Sequence, residues 1–400
     1  MDLLKLFIIF ALIIGVMKFK KPLNIAITAG IIGAILLYQV NIVQAVKIAG
    51  LSVVSRTTIT LVLSFYSITF LQRMLEKRGH LLLAEKSLSG LFNSRRVNAM
   101  IAPFIIGMLP SPGAVIIAAP IVDKAGGDFV SREDKTFITS YFRHISEAFL
   151  PTYSSIILAL QLSGVDMTAF VLAMLPMVLA LFLLGYFMYV RKIPRETGLP
   201  DSDNKKEEAR NLCRSLWTIA LTIAIILVCK WQVYMAVIPV IILCAIVNKF
   251  SVREIAPFFA GAFEPRLVSN AVVVMIFKDI LTYTGVINRL PAAFAGLPIP
   301  TVVVFALIFL FGTMVAGSQA IIALGIPLAF AAMPGGGVAL MVLLMCMTFI
   351  AMQISPAHVC LAIIIEVFNT SFLDLVKRTL PVMFWFLLIA SGYSYLLSLF

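Results

Sequence analysis

Residues 97–122 read VNAMIAPFIIGMLPSPGAVIIAAPIV. The stretch is apolar from end to end, but Leu109-Pro110-Ser111-Pro112-Gly113 interrupts it in the middle. Proline lacks the amide hydrogen that a helix interior needs and clashes with the preceding turn, so one helix cannot run through this break. Each side holds about a dozen residues, or roughly 18 Å of helix, against about 30 Å of bilayer hydrocarbon. The spacing therefore predicts a re-entrant hairpin, two arms that meet near mid-membrane and turn back.

The composition around this stretch supports lipid as the solvent. Of the 400 residues, 61% are hydrophobic and 12% charged, and the mean hydropathy is +1.05. A soluble domain averages about 25% charged residues. The net charge of +12 is no nucleic-acid signature, because the basic residues lie between apolar runs and not in one patch with aromatics. Cys213, Cys229, Cys244, Cys346 and Cys360 show neither disulfide nor metal spacing and read as packing residues. The apolar stretch 3–17 is followed by Lys18-Phe19-Lys20-Lys21 and not by a small-residue cleavage site, so it reads as a first membrane helix.

Further spans are expected at 23–40 and 51–71, followed by an amphipathic interfacial stretch at 72–96. After the hairpin (97–122) comes a span at 136–160, broken near Arg143-His144-Ile145-Ser146-Glu147 and Pro151, and then a span at 167–190. Residues 191–214 form the one long hydrophilic run and read as a cytoplasmic linker. The plan then recurs. Spans lie at 216–229 and 234–247, an interfacial connection at 249–266 and an arm at 279–295. A second interrupted stretch (300–331) breaks at Ala316-Gly317-Ser318-Gln319, and a second broken span (338–368) breaks at Ile354-Ser355-Pro356-Ala357. The last span covers 380–397.

The breaks themselves repeat in order. FLQRMLEKRG (70–79) answers FKDILTYTG (277–285); GMLPSPGAVIIAAPIV (107–122) answers GTMVAGSQAIIALGIPLAF (312–330); Ile145-Ser146-Glu147-Ala148 answers Ile354-Ser355-Pro356-Ala357. The expected fold is thus an all-α polytopic membrane protein of two inverted-topology repeats, residues 1–190 and 215–400. Each repeat has one hairpin and one broken helix. With the N-terminus outside, only Lys5, Lys47, Arg56, Lys230, Lys278 and Arg289 fall at the outer side, whereas a fully crossing 97–122 would also send Lys124, Arg132 and Lys135 outward. Inverted halves are a common build of secondary transporters, and a multi-pass inner-membrane location is expected.

Helix ends at mid-membrane carry unpaired N–H groups and partial positive charge, a natural anion site. The expected substrate-binding residues are Ser111, Pro112, Gly113, Gly317, Ser318, Gln319, Ser146, Ser355 and Pro356, with Arg143 and His144 to neutralise an anion. Ser111, Ser146, Ser318 and Ser355 sit where helix caps belong. The same breaks also read as kinks used for packing. Glu147, His358 and Glu366 are candidates for ion coupling, because ionisable groups within spans are costly and so are usually functional. Arg143 and Glu147, four residues apart on one helical face, equally read as a self-neutralising pair. Arg56, Lys278 and Asp279 lie near span ends and read as snorkelling groups. The three histidines lack metal spacing, so no metal and no cofactor is expected beyond a transported sodium ion or proton. No nucleophile with its base is apparent, so the chain is not expected to be an enzyme.

Met108–Ala114 (MLPSPGA), Phe142–Tyr153 (FRHISEAFLPTY) and Ile354–Leu361 (ISPAHVCL) resemble a prokaryotic membrane family known as domain of unknown function 401. The likeness extends over nearly the whole chain. That family is similar to the ion-transporter superfamily, which includes gluconate and dicarboxylate permeases and sodium/proton carriers. The resemblance implies an inverted-repeat fold, a homodimer, and elevator movement of a domain built from hairpins and broken helices. Dicarboxylate carriers place Ser-Asn-Thr at both hairpin tips to hold sodium; this chain has Ser111-Pro112-Gly113 and Gly317-Ser318-Gln319 instead. The expected function is secondary active transport of a small organic anion of carboxylate or sugar-acid type, coupled to protons or sodium. The alternative is cation/proton antiport on the same fold. The expected partners are membrane lipid and the anion, with no nucleic acid.

Overall fold

The structure is a computed structural model and describes residues 2–19, 21–91, 94–108, 114–196, 204–296, 298–356 and 358–399. Among these residues the chain is helical throughout. The first half runs α1 (Asp2–Lys18), α2 (Leu23–Leu37), α3 (Ile42–Val53), α4 (Arg56–Lys77), α5 (His80–Leu91), α6 (Arg95–Gly107), α7 (Ala114–Gly126), α8 (Arg132–Ile145), α9 (Ser154–Ser163) and α10 (Met167–Met188). The second runs α11 (Lys205–Cys229), α12 (Val233–Val247), α13 (Val252–Gly261), α14 (Pro265–Tyr283), α15 (Val286–Ala295), α16 (Thr301–Ala316), α17 (Ser318–Ala332), α18 (Gly337–Met352), α19 (Val359–Val367) and α20 (Phe372–Leu397).

The order of lengths recurs: two spans, a short helix, a span, an arm, two hairpin arms, a broken pair and a closing span. The packing is reciprocal. α4 lies on α12 and α14 on α2; α8 lies on α20 and α18 on α10; α9 lies on α17 and α19 on α7. α4, α10, α11 and α20 are each long and apolar enough to cross a membrane, and several shorter apolar helices accompany them. Large apolar side chains such as Phe7, Leu36, Leu179, Val228 and Phe384 are exposed on the outer faces of these helices. In water such a surface would be a liability; in lipid it is the wetted face. The protein is a membrane protein.

Helix starts follow local chemistry. Asn41, Ser55, Ser131, Asp166 and Ser371 each accept a hydrogen bond from a backbone N–H of the first turn, and Ser251 with Glu254 forms a full capping box. The Ser55 cap explains one departure from the sequence reading. Instead of one span at 51–71, α3 stops at Val53 and α4 runs from Arg56 to Lys77, taking in residues expected at the interface. The linker read at 191–214 is shorter than expected, because α11 begins at Lys205. Its first turn carries Glu207 and Glu208, which favour the positive helix start and let the helix extend out of the apolar zone.

Candidate functional site

Both broken spans are interrupted in the structure. Between α8 and α9 lie a single tight turn (Ser146–Ala148) and the non-helical residues 149–153; between α18 and α19 the chain leaves the helix at Gln353 and resumes at Val359. The two arms of the second interrupted stretch, α16 and α17, pack on each other and turn at Gly317. Gly317 has φ +82° and ψ 160°, a conformation essentially closed to residues with a side chain. The arms α6 and α7 of the first stretch also pack together, but the expected site residues Ser111, Pro112 and Gly113 at its tip lie outside the described residues.

Where these breaks converge there is a cavity of about 550 Å³. Arg143, Glu147, Gly317, Ser318, Gln319, Ser355 and His358 line it, all of them sequence candidates. Its far wall is formed by Met17, Leu23, Phe65, Thr69, Gln72 and Leu267, from the ends of α1, α2 and α14 and the body of α4. Three helices start on the cavity, at Ser154, Ser318 and Val359, and none has a side-chain cap. The serines expected as caps do otherwise. Ser146 donates to the Arg143 carbonyl (3.0 Å) and Ser355 to the Met314 carbonyl (3.1 Å), while Gly317 and not Ser318 precedes α17. The N-cap residues of these three helices make no side-chain cap, so three positive helix starts face the cavity.

Arg143 is buried and forms an ion pair with Glu147 one turn later. Its neighbour His144 is fully buried and does not line the cavity; its Nε2 meets the Nε2 of His358 at 2.9 Å, joining the two broken spans. Gln319 Nε2 donates to Ser154 Oγ at 3.0 Å, tying the second hairpin to the first broken span. Gly107 of α6 sits where a Cβ would collide with the Arg143 carbonyl, and the Tyr153 hydroxyl donates to the Gly107 carbonyl. The first hairpin is thereby seated on the first break.

Not every candidate joins the site. Ser146 is fully buried outside the cavity wall, Pro356 is exposed away from it, and Glu366 is exposed near the far end of α19. Sequence reasoning missed Thr152, Tyr153, Ser154, Thr313 and Cys360, which also line the cavity. The run Pro151-Thr152-Tyr153-Ser154-Ser155 was the available signal, a polar interruption directly after a proline. It also gave no hint that His144, His358 and Cys360 form one cluster, because the members come from opposite halves.

The second interrupted stretch and both broken spans of this membrane protein thus meet at one cavity, and the fold has a counterpart among solved structures. The structure is similar to the crystal structure of the Alcanivorax borkumensis YdaH transporter, described as having an unusual topology, with a TM-score of 0.54 and 12% identity over 85% of this chain and 84% of that one. A search of the curated proteins finds no match. The chain belongs to the protein family of unknown function DUF401, whose model matches residues 2–395.

Proposed function

We propose that this protein is a secondary active transporter of a small organic anion of carboxylate or sugar-acid type, coupled to a proton or sodium gradient in the inner membrane. The observation that carries this reading is the convergence of three uncapped helix starts on one cavity beside a buried guanidinium. Backbone N–H groups and aligned dipoles favour an anion there, with little need for further charge. The recurrent helix order and reciprocal packing support two inverted repeats, and with them alternating access by elevator movement of hairpins and broken helices. On the orientation favoured by charge, the cavity opens toward the cytoplasm.

Glu147 is the residue we assign to a coupling proton. In the structure it is ion-paired with Arg143. A proton on Glu147 would weaken its hold on the guanidinium and let the carboxylate of the cargo pair with Arg143, so proton and anion bind together. Cation/proton antiport is the weaker reading, because Glu147 is already committed to Arg143 and Glu366 is exposed outside the cavity.

The test is uptake into proteoliposomes of a panel of labelled carboxylates and sugar acids, under an imposed pH or sodium gradient, paired with thermal-shift measurements. An anion that binds the folded protein raises its stability by mass action. One anion class that both stabilises and accumulates supports the proposal, and the gradient that drives it names the coupling ion. Collapse of a pH gradient by cations, with no anion bound, would overturn it in favour of antiport.

A further inference from the structure

One ring nitrogen each of His144 and His358 and the Cys360 Sγ lie within 4.8 Å of one another, and the two Nε2 atoms meet at 2.9 Å. The first comes from the first broken span and the other two from the start of α19 in the second. His144 Nδ1 is 2.5 Å from the Ser140 carbonyl, which can only accept, so Nδ1 carries the hydrogen and Nε2 presents its lone pair to His358. A histidine whose one nitrogen is held by a carbonyl while the other points at a cluster of ligand atoms has the arrangement found at metal centres.

We propose that His144, His358 and Cys360 form a site for a borderline transition metal ion, Zn²⁺ foremost, with its fourth position open to the cavity. Two imidazoles and a thiolate suit zinc or cobalt and do not suit sodium, magnesium or calcium, which prefer oxygen ligands. Tetrahedral zinc, with Zn–N near 2.0–2.1 Å, sets its nitrogen ligands about 3.4 Å apart. The two Nε2 atoms, now 2.9 Å apart, need to separate only by a few tenths of an ångström. His358 and Cys360 both line the cavity, which gives the ion an entry path and leaves room for water or an anion as fourth ligand. The nearby guanidinium does not forbid a cation, because Glu147 neutralises it.

The exchange balances. The Nε2–H that His358 donates in the metal-free state moves to its Nδ1, freeing the second lone pair. The Cys360 thiol loses its proton as the metal–sulfur bond forms. One proton is released per ion bound. This site does not depend on the transport proposal, since it needs only the three side chains.

The experiment is Co²⁺ and Zn²⁺ titration of the full chain in detergent, in a Cys213→Ser/Cys229→Ser background that removes the exposed thiols. The expected result is one Co²⁺ per chain, a thiolate-to-cobalt charge-transfer band, and one proton released. Cys360→Ser should abolish the band and His358→Ala should weaken binding by at least tenfold, with both variants monodisperse. No thiolate band, or unchanged binding in both variants, overturns the site. Uptake by the wild-type protein in chelator-treated buffer tests transport separately, so failure of one proposal is distinguishable from failure of the other.

Discussion

Removing one partner of the Arg143–Glu147 pair should be far more damaging than removing both. The side chains are 2% and 12% exposed, respectively. Glu147→Met takes the ion-pair partner from a guanidinium with almost no access to water, so its cost belongs at the upper end of the roughly 3–5 kcal/mol seen when a buried pair is broken. Arg143→Met strands a carboxylate that touches the cavity, and water there should hold the loss near the lower end, about 3 kcal/mol. The double variant leaves no orphaned charge and should lose less than either single variant, which with single losses of about 5 and about 3 kcal/mol means a coupling energy above about 5 kcal/mol. Equilibrium unfolding of the four proteins in mixed micelles measures the cycle. Single losses below about 1 kcal/mol that simply add would show a pair as well hydrated as one on an open surface, and would refute a role for Glu147 as the occupant of Arg143.

Gly107→Ala places a methyl group against the Arg143 carbonyl, which is backbone and cannot swing aside; a loss of about 1–3 kcal/mol is expected, read by thermal unfolding. Gly317→Ala meets open space but forces a side chain onto φ +82°, so the loss of about 1–3 kcal/mol should appear even though nothing is touched. The Arg78 guanidinium, hydrogen-bonded to Glu254 at 2.9 Å, and the Ser251 cap hold the Glu254 carboxyl at about 2 instead of the usual 4.5. A lowered acid stabilises the fold above its unfolded value and loses that contribution as pH falls through the folded one. Acid titration should therefore show wild type and Glu254→Gln converging between about pH 4.5 and about 2; parallel curves would show that the contact between α4 and α13 does not form in solution.

The outline of this fold was legible because the interruptions were. Pro110, Pro112, Pro151, Gly317 and Pro356 stand out against apolar filler, and their order repeats, so hairpins and broken spans could be read from spacing alone. Helix starts that depend on one hydroxyl were less legible. Ser55 divides what reads as one span, whereas Ser146 and Ser355, placed as caps by position, bond to carbonyls instead. A serine before a break has both options, and only the packed neighbour decides between them. The Arg143–Glu147 pair was visible as a four-residue spacing on one helix. The His144–His358 contact was not, because it spans the two halves and no local pattern encodes it.

Charge balance explains why the site contains both an arginine and its own carboxylate. On the proposed elevator movement, the site crosses the membrane both with and without cargo, and a net charge in transit is expensive. In the structure Glu147 neutralises Arg143. On the proposed reading, the guanidinium with cargo bound would face the cargo carboxylate and a Glu147 that carries the coupling proton, and the pair of charges would again cancel. An anion bound without its proton would leave one excess negative charge, so that half-loaded state would be the one held back. On the proposed reading Glu147 would thus act as a tethered stand-in for the cargo, and tight coupling would follow from the same desolvation cost that keeps the pair together. A Glu147→Gln protein should accordingly bind the anion without a proton and exchange it across the membrane, yet fail to concentrate it under a pH gradient. Accumulation by Glu147→Gln equal to wild type would place the coupling ion elsewhere.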